Sequence, residues 1–538
     1  MAGVFAGSLD AFRSEQRWWK NSVIYHIYPR SFQDSNGDGN GDLSGIRSRL
    51  DYLDYLGVKI IYLSPIFKSP MVDNGYDVSD FMDVNPMFGT MEDFESLLQD
   101  IHSRGMKLLL DFVPNHTSDQ HDWFLESRSN RHNPRREWYI WRDAASDGTP
   151  PNNWLSVFGG SAWSLDRKTN QYYLHQFFKE QPDLNFRNPD VVNATKEVLG
   201  FWLDKGVDGF RVDAVPHLLE DEEFRDEPVL ASYDTSHPQY KDLDHQFTCN
   251  LDDVHGIVRG WRQFCSMYRN PYRLLIGEIL CGNETAMSYY GHHKPEFNFP
   301  LNFSLIGLKK GITALEISEK VVKYLNDVPK GKWPNWLLGN HDCKRVGTRM
   351  GQANLPAMTV LYLTLPGTAV MYYGDEIGLM DADISKGEIN DSRDPCRGIM
   401  QWENAENYGF SQAKKLWLPG TDNNKTNVEV QKLDETSMLV LTRKILKLRN
   451  AEKAFHGLNF RLIHVDSSIL AYTRSTWLSK YVVIINFGSR IWSGGLERGL
   501  KKKGVVIIDS STIMAEGTEL DMNRISIHPG HALVVKIK

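Results

Sequence analysis

Cysteine is scarce in this chain, positive charge is nowhere dense, and no apolar run is long enough to cross a bilayer. Each shortage removes a class of answer. The five cysteines, Cys249, Cys265, Cys281, Cys343 and Cys396, are odd in number and lack CxxC spacing. That excludes a disulfide scaffold and a CxxC metal site and leaves a single bridge open. A net charge of -7 without a Lys/Arg face argues against nucleic acid, and the basic run at 501–503 reads as a solvated turn. The start MAGVFAG is too short for the core of a signal peptide. Low-complexity segments and solenoid repeats are also missing. What is present is globular: 41% hydrophobic and 24% charged residues, in a length of 538 that calls for a large domain with insertions plus a smaller one. Six N-x-S/T sequons, at Asn115, Asn193, Asn283, Asn302, Asn390 and Asn424, suit secretion or a cell surface, whereas spare thiols suit the cytoplasm.

The chain repeats one pattern. After Trp18 and Trp19, VIYHIYP at 23–29 forms a first strand. Ser44 then caps a helix carrying Ile46, Leu50, Leu53 and Leu56 on one side; Gly57 stops it, and the strand VKIIYLS follows at 58–64. Thr90 caps a second helix with Phe94, Leu97, Leu98 and Ile101 at helical spacing, ended by Gly105 before KLLLDFV at 107–113. Pro189 starts a third, striped by Val198, Leu199 and Trp202 and ended by Gly206 before GFRVDAV. Three helix-glycine-strand units with nearly continuous apolar strands mean parallel strands buried under helices. Further strands at 273–279, 335–340 and 368–374, with another near 297–303, complete an eight-stranded (β/α) barrel, a TIM barrel of the α/β class.

Two spacings break the rhythm. About seventy residues rich in Trp, Asn, Pro and His follow the third strand, far more than an ordinary βα loop, and form an inserted domain. A second, irregular excursion runs over 375–420. From about residue 455 the pattern changes to period two, predicting a C-terminal antiparallel β-sandwich. The expected organisation is therefore an N-terminal extension (1–17), a barrel in two parts (18–116 and 189–454), the insertion (117–188) and the sandwich (455–538).

In such a barrel the site lies at the C-terminal ends of the strands. Asp213 ends one strand, Glu278 the next, and Asp342 follows a third, so three acids are expected at one rim. Arg211, two residues before Asp213, shares its face of the strand and is expected to keep that acid ionised; a structural ion pair is the alternative reading. Asp213 and Asp342 are expected to raise Glu278 towards its acid form. His116 and His341 supply donors for ligand hydroxyls. One carboxylate to attack an anomeric carbon and one to protonate the leaving oxygen is the requirement of glycosidic cleavage. Trp138, Trp141, Trp154 and Tyr172 in the insertion offer flat surfaces to sugar rings, or else core.

The stretches IYPRSF, GYDVSDF, DFVPNHTS, QPDLNF, DGFRVDAV, GEIL, GNHD, LPGTAVMYYGDEIG and IMQW stand in order between Trp18 and about Trp417. On them the chain resembles the α-amylase family of glycoside hydrolases, in its α-glucosidase (maltase) and oligo-1,6-glucosidase branch. The resemblance implies a retaining hydrolase with Asp213 as nucleophile, Glu278 as general acid/base and Asp342 binding hydroxyls and stabilising the transition state. It implies Tyr76, Asp77, His116, Arg211, His341 and Arg397 around the non-reducing glucose of a small oligosaccharide. Ala214 resembles the α-1,4-preferring members, where α-1,6-preferring ones tend to carry valine.

DSNGDGNGD places oxygen ligands at Asp34, Asn36, Asp38 and Asp42, with the Asn40 carbonyl between and Gly39 at the turn. This resembles the first part of a calcium loop, although Gly45 stands where a bidentate glutamate belongs; a loop closed by Asx-turns is the alternative. Similar loops in the family bind calcium or magnesium, so a structural ion and no organic cofactor are expected. KEQPDLNFRNP at 179–189 and GKWPNW at 331–336 are also similar to the glucosidase-like ectodomains of amino-acid transporter heavy chains, which support a membrane-protein partner and have generally lost part of the catalytic set. A sugar-binding lectin is the third reading. Neither demands three acids, an arginine and two histidines at one rim.

Overall fold

The computed structural model describes residues 18–231, 237–269, 271–384, 391–421, 425–496 and 503–538. The extension 1–17, the sequons at Asn390 and Asn424 and most of the 501–503 run lie outside them.

Eight short strands follow the predicted rhythm: β1 (Val23–Ile27), β2 (Ile60–Leu63), β3 (Lys107–Phe112), β4 (Gly209–Val212), β5 (Leu274–Gly277), β6 (Phe299–Pro300), β7 (Asn335–Leu337) and β8 (Thr368–Tyr372). They form one sheet in the order β6-β5-β4-β3-β2-β1-β8-β7, in which β1 with β8, β8 with β7, β3 with β4, β4 with β5 and β5 with β6 pair in parallel. Neighbours in sequence are neighbours in the sheet, except β6 and β7, which stand at its two ends, and the first strand pairs with the last, Val23 opposite Ala369. That is the cyclic order of a TIM barrel. β1, β2, β4, β5 and β8 are buried at every position, which is why they read as nearly continuous apolar runs, interrupted by Arg211 in β4 and His26 in β1.

Helix signals between the strands hold with one correction. The first helix is two short ones, α1 (Leu43–Ser48) and α2 (Leu50–Leu56), and its cap is Asp42, whose carboxylate accepts the Gly45 N–H at 2.6 Å; Ser44 lies inside the first turn. Gly57 ends α2 in the left-handed region. Thr90 caps α3 (Met91–Ser103) reciprocally: its hydroxyl accepts the Asp93 N–H and the Asp93 carboxylate accepts its own. Asn188 caps α4 (Pro189–Lys205), Pro189 fills its first position, and Gly206 closes it at φ +107°.

The described chain forms two compact units. One comprises Leu63–Glu95 and Leu109–Pro300 and holds β4 to β6, α4 and the segment inserted after β3. That segment is a three-stranded antiparallel sheet, with Gln171–Leu174 between Trp141–Arg142 and Trp163–Asp166, around Ile140, Trp154, Ala162, Trp163 and Leu174. Trp141 and Trp154 are therefore core and offer no face to a sugar.

The other unit comprises the described residues within Met1–Tyr62, Ser96–Leu108 and Leu301–Lys538. Its C-terminal strands are β9 (Phe460–Val465), β10 (Ile469–Ser475), β11 (Lys480–Asn486), β12 (Trp492–Gly494), β13 (Lys503–Asp509), β14 (Glu519–Asp521), β15 (Ile525–Ile527) and β16 (Ala532–Ile537). A six-stranded sheet runs β9-β10-β11-β16-β13-β14, and β12 with β15 forms a second sheet of two. Ile469, Ala471, Val482, Ile484, Ile525, Ile527, Leu533 and Val535 fill the space between them. β10 and β11 are buried almost throughout instead of alternating, because helices Ala314–Asp327 and Leu355–Thr364 cover their other face.

Candidate active site

The site is built from strand ends. Gly209 starts β4 where the chain runs so close to β5 that a Cβ would lie 2.1 Å from the Leu274 carbonyl oxygen, so only glycine fits. Arg211 then stands opposite Asp111 of β3 and Ile276 of β5 in register. Just past the strand, the Asp213 N–H is held by the Phe112 carbonyl at 2.8 Å, and the Glu278 N–H by the Val212 carbonyl at 2.9 Å. Gly277, before Glu278, packs against the Phe297 ring, 2.5 Å from where a Cβ would sit. Both acids are thereby fixed through their backbones.

One guanidinium gathers three carboxylates. Arg211 Nη1 donates to Asp111 Oδ1 at 2.9 Å and to Asp213 Oδ1, while Nη2 pairs with Glu278 Oε1 at 2.6 Å. Ala214, in the left-handed region at φ 47°, turns its N–H onto Glu278 Oε2 at 3.1 Å. Two expectations change here. Arg211 is not reserved for Asp213, since it grips Glu278 as well. Nor does it set the balance at Asp213 alone: burial pushes that carboxyl up to about 6, Asp111 adds to the rise, and Arg211 with a hydrogen bond from Glu278 pulls the other way. Apparent values for such a pair belong to the pair.

Beside this cluster, the Tyr76 hydroxyl donates to Asp111 Oδ2 at 2.8 Å. His116 Nε2 lies 3.1 Å from the Tyr76 carbonyl and its Nδ1 3.2 Å from the Asn115 amide, an arrangement that puts the ring proton on Nε2. Burial lowers the His116 pKa to about 3, so the ring is neutral. Asp77 is fully buried; its oxygens accept the N–H groups of Val72 and Asp73 and the Ser69 hydroxyl, and burial lifts it to about 6. Gln181, of the QPDLN stretch, donates from its amide to Asp73 Oδ2 at 2.9 Å.

In the other unit, Asp342 follows β7 and is one-third exposed. His341 Nε2 stands 3.2 Å from Asp342 Oδ2, and Arg393 and Arg397 approach Asp342 Oδ1 at 3.3 and 3.4 Å. Arg397 Nε donates to the His341 carbonyl at 2.8 Å, and Asp391 braces both arginines. Sequence reasoning missed Arg393, Asp391 and Asp111. The excursion over 375–420 carries no periodicity to flag the first two, whereas Asp111 was visible as the lone acid in KLLLDFV.

The loop Asp34–Asp42 is knitted by its own side chains. Asp34 accepts the N–H groups of Asn36, Gly37 and Gly39 and the Ser411 hydroxyl; Asn36 accepts from Asp38, and Asp38 from Asn40. Asp42 accepts the Ser35 N–H as well as that of Gly45. The donor set is all oxygen, as hard cations require, but Asn36 and Asp38 are exposed. Among the described residues no group of three or more His, Cys, Asp or Glu side chains is placed to hold a metal. Two sequon asparagines, Asn115 and Asn302, are buried and hydrogen-bonded.

Two acids at barrel strand ends, bridged by one arginine, are an arrangement suited to glycosidic chemistry. Residues 26–457 match the α-amylase catalytic domain, and the chain belongs to the α-amylase family of glycoside hydrolases. It is 40% identical over 536 residues to an amino acid transporter heavy chain of Homo sapiens, covering 96% of this chain and 78% of that one. It is 43% identical over 485 residues to maltase 1 of Drosophila virilis, covering 85% and 76% respectively. Among solved structures, an α-glucosyl transfer enzyme, XgtA, superposes with a TM-score of 0.88 at 34% identity, over 97% of this chain and 99% of that one.

Proposed function

We propose that the protein is a retaining α-glucosidase that removes terminal α-linked glucose, with α-1,4 bonds preferred, from maltose and short oligosaccharides. The observation that carries this reading is the Arg211 bridge between Asp213 and Glu278. Asp213 and Glu278 share that guanidinium and a side-chain hydrogen bond with each other, a closeness that suits the roughly 5–5.5 Å of retaining enzymes better than the roughly 6.5–9.5 Å that leaves room for a water in inverting ones. Asp213 attacks the anomeric carbon while Glu278 gives its proton to the leaving oxygen, breaking the glycosidic bond and forming a glycosyl ester. Glu278, now ionised, takes a proton from water as the water oxygen displaces Asp213, which regenerates both groups. Asp342 takes the third acid's part in binding hydroxyls, and Tyr76, Asp77, His116, His341 and Arg397 hold the glucose.

The preference for α-1,4 bonds rests on Ala214. Parallel assays of maltose, isomaltose and sucrose test it: maltose is expected to be cleaved fastest, and faster release from isomaltose reverses the assignment. A structural calcium or magnesium ion in the Asp34–Asp42 loop is part of the same proposal, supported by its oxygen donors and the turn at Gly39. Chelation is expected to lower the melting temperature; an unchanged value means the Asx-turns close the loop unaided.

The second reading, a catalytically silent ectodomain of a transporter heavy chain, is favoured by the 96% coverage of this chain in the match to the human heavy chain. No helix among the described residues is long and apolar enough to cross a membrane. Folded protein that releases no glucose from any of the three sugars supports this reading over the enzyme.

A further inference from the structure

Asp111 is fully buried on β3 and is itself given no part in the hydrolytic mechanism. Its two oxygens face two different parts of the site: Oδ1 takes Arg211 Nη1 at 2.9 Å and Oδ2 takes the Tyr76 hydroxyl at 2.8 Å. The same Nη1 reaches Asp213 and the same guanidinium reaches Glu278. The Tyr76 carbonyl in turn fixes the His116 ring. A carboxylate with two oxygens committed in this way sets the rotamer of a cation and the tilt of a phenol together. It also places a fixed negative charge behind the cation.

We propose that Asp111 is a positioning residue: it orients Arg211 and Tyr76 as one piece and, through Arg211, sets how protons are shared between Asp213 and Glu278. The inference rests on the hydrolase reading for its rate consequences but not for its titration consequences. Among the charged and titratable groups of this unit, Arg211 on β4 touches both acids, Asp111 on β3 stands behind it, and the Tyr76 hydroxyl and, through the Tyr76 carbonyl, the neutral His116 adjoin Asp111. With Asp111 neutralised, the whole Arg211 charge falls on Asp213 and Glu278. Both acids then hold their protons less tightly.

Asp111→Asn keeps the shape and removes the charge. The expected result is a kcat/KM for maltose at least about tenfold lower, from misplaced groups, and an acid limb of the pH-rate profile displaced about one unit downward. A lowered rate with both limbs unmoved means a purely structural role and overturns the proposal. The second readout does not need turnover: NMR titration of aspartate labelled with carbon-13 at Cγ follows Asp213, assigned by its loss in Asp213→Asn. Its pKa is expected to fall in Asp111→Asn, and an unchanged value overturns the proposal even in a protein that hydrolyses nothing. If wild type releases no glucose while the titration shifts, the hydrolase reading fails and the positioning role stands. Should Asp111→Asn not fold, Tyr76→Phe removes only the hydroxyl that shares the Asp111 charge; the Asp213 titration is then expected to move upward, and no movement counts against the proposal.

Discussion

Asp213 is pulled in two directions, and burial wins over the Arg211 charge. Its carboxyl is raised from an ordinary 3.8 to about 6. Attack requires the ionised form, so activity is expected to fall as pH drops through about 6, and to fall again at higher pH as Glu278 loses the proton it must donate. A pH-rate profile on maltose checks this; a flat profile across acidic and neutral pH contradicts the assigned roles. The same shift has a stability sign. Between 3.8 and about 6 the folded chain holds a proton that the unfolded chain has released, so this group's contribution, full below 3.8, is lost as pH rises through that window. At this scale the sequence was legible where a charged side chain ended a strand: Asp213 and Glu278 come together as expected. It was less legible for Arg211. A period-two strand shows which neighbours share its face, but not which acids on adjacent strands reach the same guanidinium. Asp111 and Glu278 do so only through strand register.

Elements were readable where their signals are local. Thr90, Asn188 with Pro189, and the left-handed glycines Gly57 and Gly206 act within a turn of the chain, so the boundaries of α3 and α4 follow from nearest neighbours. The start of α1 does not, because Asp42 and Ser44 are both competent caps and the backbone decides: Asp42 is extended, at φ -145° and ψ 173°. Gly209 shows the limit more sharply. Its necessity comes from a carbonyl 65 residues away on β5, and nothing in the local sequence marks it. Gly209→Ala is expected to destabilise the protein by about 1–3 kcal/mol or more, because the obstacle is backbone and cannot swing aside. Thermal or urea unfolding checks it; a variant as stable as wild type means the two strands can part at no cost.

At the scale of the whole chain, sheet order was legible because helix-glycine-strand units repeat and parallel strands need crossovers, which leaves few topologies. The C-terminal sheets were only partly so. β12 and β15, three residues each, are too short for a periodic signal, and the helices covering β10 and β11 erase the alternation a one-sided sheet shows. Two fully buried arginines escaped notice for a related reason. Arg449 donates to the Leu363 and Gly367 carbonyls, and Arg474 to those of Thr364, Phe455, Gly457 and Asn459. Thr364 ends the helix that packs on β11, so these side chains satisfy carbonyls that a helix terminus leaves open. In the sequence they are two ordinary cations in amphipathic segments.

The central claim is that Asp213 and Glu278 act as nucleophile and acid/base in a retaining cleavage, and the anomeric form of the first glucose released tests it most directly. Proton NMR of maltose hydrolysis at early times, before mutarotation, is expected to show α-glucose. Early release of β-glucose would contradict the account, because inversion needs a water between the carboxylates where Arg211 now holds them together.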